Sequence, residues 1–516
     1  MSQTYLLGID NGTTVTKAAL FDLEGREVAV GSSQEVKVAH PQPGWAEQSM
    51  DEIWQATAQA IRQCLAESGV DPASIAGVSF SGHGGGVWLL DDRGRPVRDA
   101  IIWLDGRAKP YLDRWAADGR LSQLYDESGW SLFAGIGACT IFPWLMEHEP
   151  GSLGRARINL SSKDWVKFCL TGEQSTDQTM ASIAHMNYQT GRHSERVLGL
   201  TGIADYRHLL PPIVPSWEIA GRVTRQAADE TGLAAGTPVA CGAWDGTSST
   251  LGAGCIGVGE AASVIGTAGV HVVVSDTPDL DPERNYSLMY HCVPDRYVKN
   301  ALTMLAAGNL NWFEREFCLA ERQEAERRGV NVYQVIGEAV AGVQVGAGGV
   351  LYLPFLQGER APFVKPDARG VFFGLGDWHQ RAHLLRAVFE GVALSTRDNY
   401  ACMQKGGELT TTYLTGGGSR SPVWSQILAD CTGNAMKVPA GVELGARGAA
   451  MSAGVAVGLF ADHASAVQQM VRIERDYVPN PQQAARYDEL YRLYRDLITA
   501  VWPAWERSWE IGVANW

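Results

Sequence analysis

Apolar residues fall in short runs broken by glycines and polar turns. Residues 5–9 form one run of strand length and residues 17–21 a second. The stretch from Asp22 to Gly25 reads as a turn, and residues 27–30 open a third strand. The period then changes. Ile53, Thr57, Ile61, Cys64 and Leu65 recur at helical spacing, with Asp51 and Glu52 placed where the positive end of a helix favours acids. Residues 78–80 give another short strand. Three strands in hairpin succession, then a helix and a strand, differ from a dinucleotide-binding fold, which sets a helix directly after its first strand.

The same plan recurs later in the chain. Residues 262–265 and 270–274 read as strands joined by the glycine turn 266–269. Helices are predicted at 381–397 and 421–431, and a third from about Pro481, where Asn480 supplies a cap and Pro481 suits the first helical position. The expectation is an α/β protein of two similar domains facing each other across a cleft, residues 1–250 and 251–516.

Composition narrows the function classes. The chain has 516 residues with 43 Lys plus Arg against 57 Asp plus Glu, a formal net charge of −14. An acidic chain without basic clusters suits neither a nucleic-acid backbone nor an anionic membrane, although backbone amides can still bind phosphate. The nine cysteines are scattered, with no Cys-x-x-Cys pair, so free thiols in a reducing compartment are expected rather than a disulfide framework or zinc site. The chain enters its first apolar run without a leader-like segment, and no run nears the ~18 apolar residues of a membrane span. The expected location is the cytoplasm; a homodimer stays open.

The segment from Gly8 to Lys17 carries the first chemical signal. Asp10 ends a strand, and Gly12, Thr13 and Thr14 follow in a turn whose amides and hydroxyls suit phosphate oxygens. Asp10 suits Mg²⁺, directly or through water. The same residues equally suit an ordinary Asp-Asn-Gly hairpin turn. No Gly-Lys-Ser/Thr triplet occurs, so a nucleotide here needs a grip other than a P-loop.

Four segments in order carry a resemblance. Residues 10–17 resemble the first phosphate motif of the FGGY family of carbohydrate kinases, which belongs with actin, hexokinase and the heat-shock chaperones. Gly242 to Gly246 resembles the family's segment bearing a catalytic Asp. Gly370 to Leu375, followed after seven residues by His383 to Glu390, resembles its C-terminal signature. Thr415 to Gln426 resembles its adenosine-binding loop and helix. Residues 139–150 keep the Trp and acids of the N-terminal signature without its Lys.

The resemblance implies two ribonuclease H-like, actin-like ATPase domains with an interdomain cleft, ATP and Mg²⁺ as cofactors, and a small sugar or polyol as substrate. It implies Asp245 as the base that deprotonates a sugar hydroxyl and Asp10 as the metal contact. Gly12, Thr13, Thr14 and Lys17, facing Gly266 and Thr267, would hold phosphates, with Gly417 and Ser421 at the adenosine. On the sugar side, His83 and Gly84 stand in the substrate loop. Asp105 either meets substrate hydroxyls or pairs with Arg107. The acceptor expected first is a ketopentose such as xylulose; erythritol, glycerol, ribulose and gluconate remain as alternatives, and an actin- or chaperone-like ATPase is the rival class.

Overall fold

In the computed structural model, which describes residues 3–183, 185–404, 407 and 409–512, the alternation along the first strands sorts their side chains onto two faces. Tyr5–Asn11 pairs antiparallel with Thr16–Asp22, bringing Leu6 opposite Phe21 and Leu7 opposite Leu20. Because successive strand side chains point to opposite faces, Leu7, Ile9 and Leu20 enter one core and Leu6 and Phe21 another. Burying a side chain as large as Phe21 contributes roughly 1.5–3 kcal/mol.

The strands Glu27–Ser32, Thr16–Asp22, Tyr5–Asn11, Ile75–Gly82, Pro238–Ala240 and Ile219–Arg222 lie side by side in that order. Ile75–Gly82 runs parallel to Tyr5–Asn11, reached through the helix Met50–Ser68. Ser49 caps that helix by accepting from the Glu52 amide, Asp51 and Glu52 occupy its first turn, and Gly69 ends it in the left-handed conformation.

The second sheet repeats the order. Tyr297–Thr303, Gly269–Ser275, Glu260–Ile265, Thr411–Thr415, Met436–Pro439 and Ile473–Tyr477 follow one another, with Ser287–Tyr290 added at the edge. Glu260–Ile265 pairs antiparallel with Gly269–Ser275 and parallel with Thr411–Thr415. These are two α/β domains of the ribonuclease H-like, actin-like kind. The helices predicted in this half form as Arg381–Gln404, Pro422–Thr432 and Pro481–Glu510, with Ser421 and Asn480 as caps. Among the described residues no two cysteines form a disulfide, and no helix is long and apolar enough to cross a membrane.

The division of the chain is not the division of the packing. The helix Leu444–Ala456, from the second half of the sequence, packs on one face of the first sheet, where Ala446, Ala450 and Met451 join Leu6 and Phe21. Glycines make the approach possible. A Cβ at Gly8 would lie 1.8 Å from the Ala446 carbonyl oxygen, and one at Gly448 would lie 1.9 Å from that of Ser248. Backbone therefore meets backbone, and the start of this helix is carried to the end of the Tyr5–Asn11 strand.

Candidate active site

The parallel strands end together. Asp10 stands opposite Ser81 on one flank of Ile75–Gly82, and Ala243 stands opposite the same Ser81 on the other. Trp244 follows opposite Gly82, and Asp245 then begins the helix Asp245–Ala253. Residues 235 positions apart in sequence thus come to one edge, the carboxyl ends of parallel strands where open α/β sheets bind ligands.

The two carboxylates feel each other. Burial, and then the negative charge of Asp10, push the Asp245 carboxyl up to about 7. Asp10 is itself raised by burial and by Glu443, against the lowering effects of Ser81 and Lys17. Ser81 Oγ donates to Asp10 Oδ1 at 2.7 Å. Asp10 Oδ2 lies in a space that exists because residue 445 is glycine: a Cβ there would come within 2.9 Å of that oxygen. A hard carboxylate oxygen of this kind suits a Mg²⁺ ion that keeps waters and shares phosphate oxygens. Among the described residues, no three His, Cys, Asp or Glu side chains gather closely enough to form an all-protein metal cage.

The turn after Asp10 is braced from outside. Trp103 Nε1 donates to Thr13 Oγ1 at 2.9 Å, and Gln48 Nε2 donates to the Thr13 carbonyl at 2.7 Å. Gly12 is needed for space, since a Cβ there would lie 2.7 Å from the Val15 carbonyl oxygen. Thr14 is exposed. Lys17 Nζ, expected at phosphate, pairs with Glu443 Oε1 at 2.8 Å.

In the second domain, Gly266, Thr267, Gly417 and Ser421 line one cavity of about 970 Å³, together with Tyr333 and Phe389. The Thr267 carbonyl accepts from the Ala306 and Gly308 amides, and the Gly266 carbonyl from Ala307, tying this turn to the start of the helix Ala307–Phe317. Neither Asp10 nor Asp245 lines the cavity.

The loop after Ile75–Gly82 holds His83, 4% exposed, with both ring nitrogens lacking a hydrogen-bond partner. Burial holds its imidazole down to about 4, so the ring is neutral, with one donor and one acceptor to offer. Gly84 makes room for the indole next to Asp245: a Cβ there would come within 2.7 Å of Trp244 Cδ1. Trp130 meets Trp244 edge-on, ring centroids 6.2 Å apart.

Asp105 stands in the loop after the strand Ala100–Ile101. It is 2% exposed, and its two oxygens accept from the Ala46 and Arg107 amides and from Arg107 Nε and Nη2. Of the two sequence readings, the ion pair with Arg107 is formed, with Arg107 Nε 2.9 Å from Asp105 Oδ1. Glu443 is a neighbour that sequence reasoning did not connect to the site.

The geometry has counterparts. Residues 5–252 match the FGGY family of carbohydrate kinases, N-terminal domain, and residues 261–457 match its C-terminal domain. A "Probable L-xylulose kinase" of Pasteurella multocida is 35% identical over 502 residues, covering 96% of this chain and 99% of the relative. An "L-xylulose/3-keto-L-gulonate kinase" of Escherichia coli is 32% identical over 502 residues, 96% of this chain and 97% of the relative. The crystal structure of a xylulose kinase from Rhodospirillum rubrum superposes with a TM-score of 0.87 at 31% identity, covering 97% of this chain and all of that one. Matched along both domains, this chain belongs to the FGGY family of carbohydrate kinases and is a sugar kinase.

Proposed function

We propose that this kinase transfers the γ-phosphoryl group of ATP to a hydroxyl of a ketopentose, xylulose first. Support for the substrate comes from the xylulose kinases among its relatives. The observation that carries the reading is the convergence of Asp10 and Asp245 at one sheet edge, with Asp245 held near neutrality.

A sugar hydroxyl is a weak nucleophile, and a carboxylate that takes its proton accelerates transfer by ~10²–10⁴. With its carboxyl at about 7, Asp245 is partly ionised at neutral pH and basic enough to take that proton. Asp10 Oδ2 holds the cation side, and a bound Mg²⁺ would neutralise phosphate charge there. Gly12, Thr13 and Thr14 orient phosphate oxygens from the first domain; Gly266 and Thr267 do so from the second. Gly417, Ser421, Tyr333 and Phe389 form the wall for the adenosine. The neutral imidazole of His83, buried without partners, exchanges hydrogen bonds with sugar hydroxyls, and Gly84 and Trp244 shape the wall beside it. Lys17 acts through Glu443 rather than on phosphate, and Asp105 supports the loop.

The test is a coupled ADP-release assay over L- and D-xylulose, ribulose, erythritol, glycerol, gluconate and 3-keto-gulonate. Release that depends on xylulose supports the reading. A clear preference for erythritol or an acidic sugar replaces the substrate, and turnover independent of any sugar favours an ATPase.

A further inference from the structure

The helix Ser162–Thr171 buries what surface helices expose. Lys163, Asp164 and Lys167 are all fully buried. Buried charges persist only when paired and hydrogen-bonded, and here they are. Lys163 Nζ lies 2.6 Å from Asp164 Oδ1 and 3.0 Å from Asp177 Oδ1; Lys167 Nζ lies 3.3 Å from Asp164 Oδ1. Two lysines face two aspartates, so the cluster is neutral. Lys167 also donates to the Ser175 carbonyl and hydroxyl, and Ser161 Oγ donates to Asp164 Oδ2.

The cluster leads to the base. Asp177 Oδ2 accepts from Ser216 Oγ and Thr179 Oγ1, both at 2.6 Å. The Thr179 hydroxyl, its proton committed to Asp177, accepts from the Trp244 amide at 2.8 Å. Trp244 is the residue before Asp245. The same array holds the approach to it, since Lys163 Nζ donates to the Cys241 carbonyl at 3.4 Å and the Gly242 amide donates to the Ser216 carbonyl. On the sugar side, Ser162 Oγ donates to the His83 carbonyl at 2.8 Å. One helix start therefore grips both the loop proposed for the sugar and the segment proposed for the base.

We infer that Thr179 is a positioning residue: anchored on Asp177 and the buried lysines, it fixes the Trp244 amide and so sets the aim of Asp245 at the sugar hydroxyl. This rests on the proposed role of Asp245 as base. Removing a charged member would leave its partner buried and unpaired, so the neutral link is the one to cut.

Thr179→Val keeps the shape and removes both hydrogen bonds. Its kcat should fall roughly 10- to 100-fold while KM for ATP stays within about twofold, the pattern of a misaimed group rather than a damaged nucleotide site. Thr179→Ser, which restores the hydroxyl, should return kcat to within about threefold of the parent. The inference is overturned if folded Thr179→Val keeps kcat within about twofold, if Thr179→Ser fails to rescue, or if KM for ATP rises as much as kcat falls. Should Thr179→Val not fold, Ser216→Ala tests the same array, with kcat expected to drop about threefold at constant KM for ATP and an unchanged kcat overturning the inference. A parent enzyme without sugar-dependent turnover overturns the base assignment itself; an active parent beside an indifferent Thr179→Val overturns this inference alone.

Discussion

The two sheets share an order of strands but not a chemistry. At the register where the first sheet sets Asp10 opposite Ser81, the second sets Val264 opposite Thr415. One step further along, both turn to glycine: Asn11 faces Gly82, and a Cβ at Gly416 would come within 2.9 Å of the Ile265 backbone. The first edge carries carboxylates; the second carries bare backbone and hydroxyls around a cavity. The difference follows from the partner each edge suits. A carboxylate can deprotonate an alcohol or meet a cation, whereas a polyanionic tail is better held by amides and helix starts, which attract negative charge without titrating. At matching positions of the repeated fold, the first copy carries a carboxylate where the second carries Val264.

The chemical asymmetry of the two edges is greatest at Asp245. Asp245→Asn should lower kcat by ~10²–10⁴ while ATP affinity, read by direct titration, stays within about twofold. A loss under about tenfold would remove Asp245 from the base role and with it the chemical asymmetry of the two edges.

Gly416→Ala probes the other edge. Residue 416 has φ 82°, and the added Cβ meets the Ile265 backbone. We expect KM for ATP to rise about tenfold with KM for sugar nearly unchanged, and a thermal-unfolding loss of roughly 1–3 kcal/mol. Equal changes in both KM values would mean that the second edge also shapes the sugar site.

His83→Ala should be milder and opposite in sense, raising KM for sugar about five- to tenfold and leaving KM for ATP alone. Parallel changes in the two constants would make His83 part of the scaffold.

The smallest effect is in pH. Asp245 must be ionised to accept a proton, so kcat/KM for sugar should climb as pH rises through about 7. Stability runs the other way. The folded carboxyl titrates near 7 and the unfolded one near ~4, so the native state binds this proton more tightly, and the contribution of Asp245 to stability declines as pH rises across that window. Melting curves of the parent and of Asp245→Asn, compared across this range, should converge toward low pH; a constant difference between them would contradict the raised value.

Much of this was legible because local rules carried it. Alternation along residues 5–9 and 17–21 announced paired strands, and the cap at Asn480 announced a helix. The segments around Asp10, Asp245 and Gly417 identified a family because each is a short motif of specific residue types, matched in order along the chain. The pairing of Asp105 with Arg107, two positions away, was legible; the partner of Lys17 was not, because Glu443 lies 426 positions from it.

The sequence by itself determined the strand-turn-strand repeats, the helix ends and the chemical types available, because each depends on residues within a few positions of one another. The tertiary structure alone decided that Asp10 and Asp245 share an edge, and that a helix from residue 444 covers a sheet begun at residue 5. It also decided that two buried lysines stand behind the proposed base. Those facts depend on backbone packing and on burial, which raises one carboxyl, silences one imidazole and pairs charges that a linear reading leaves separate.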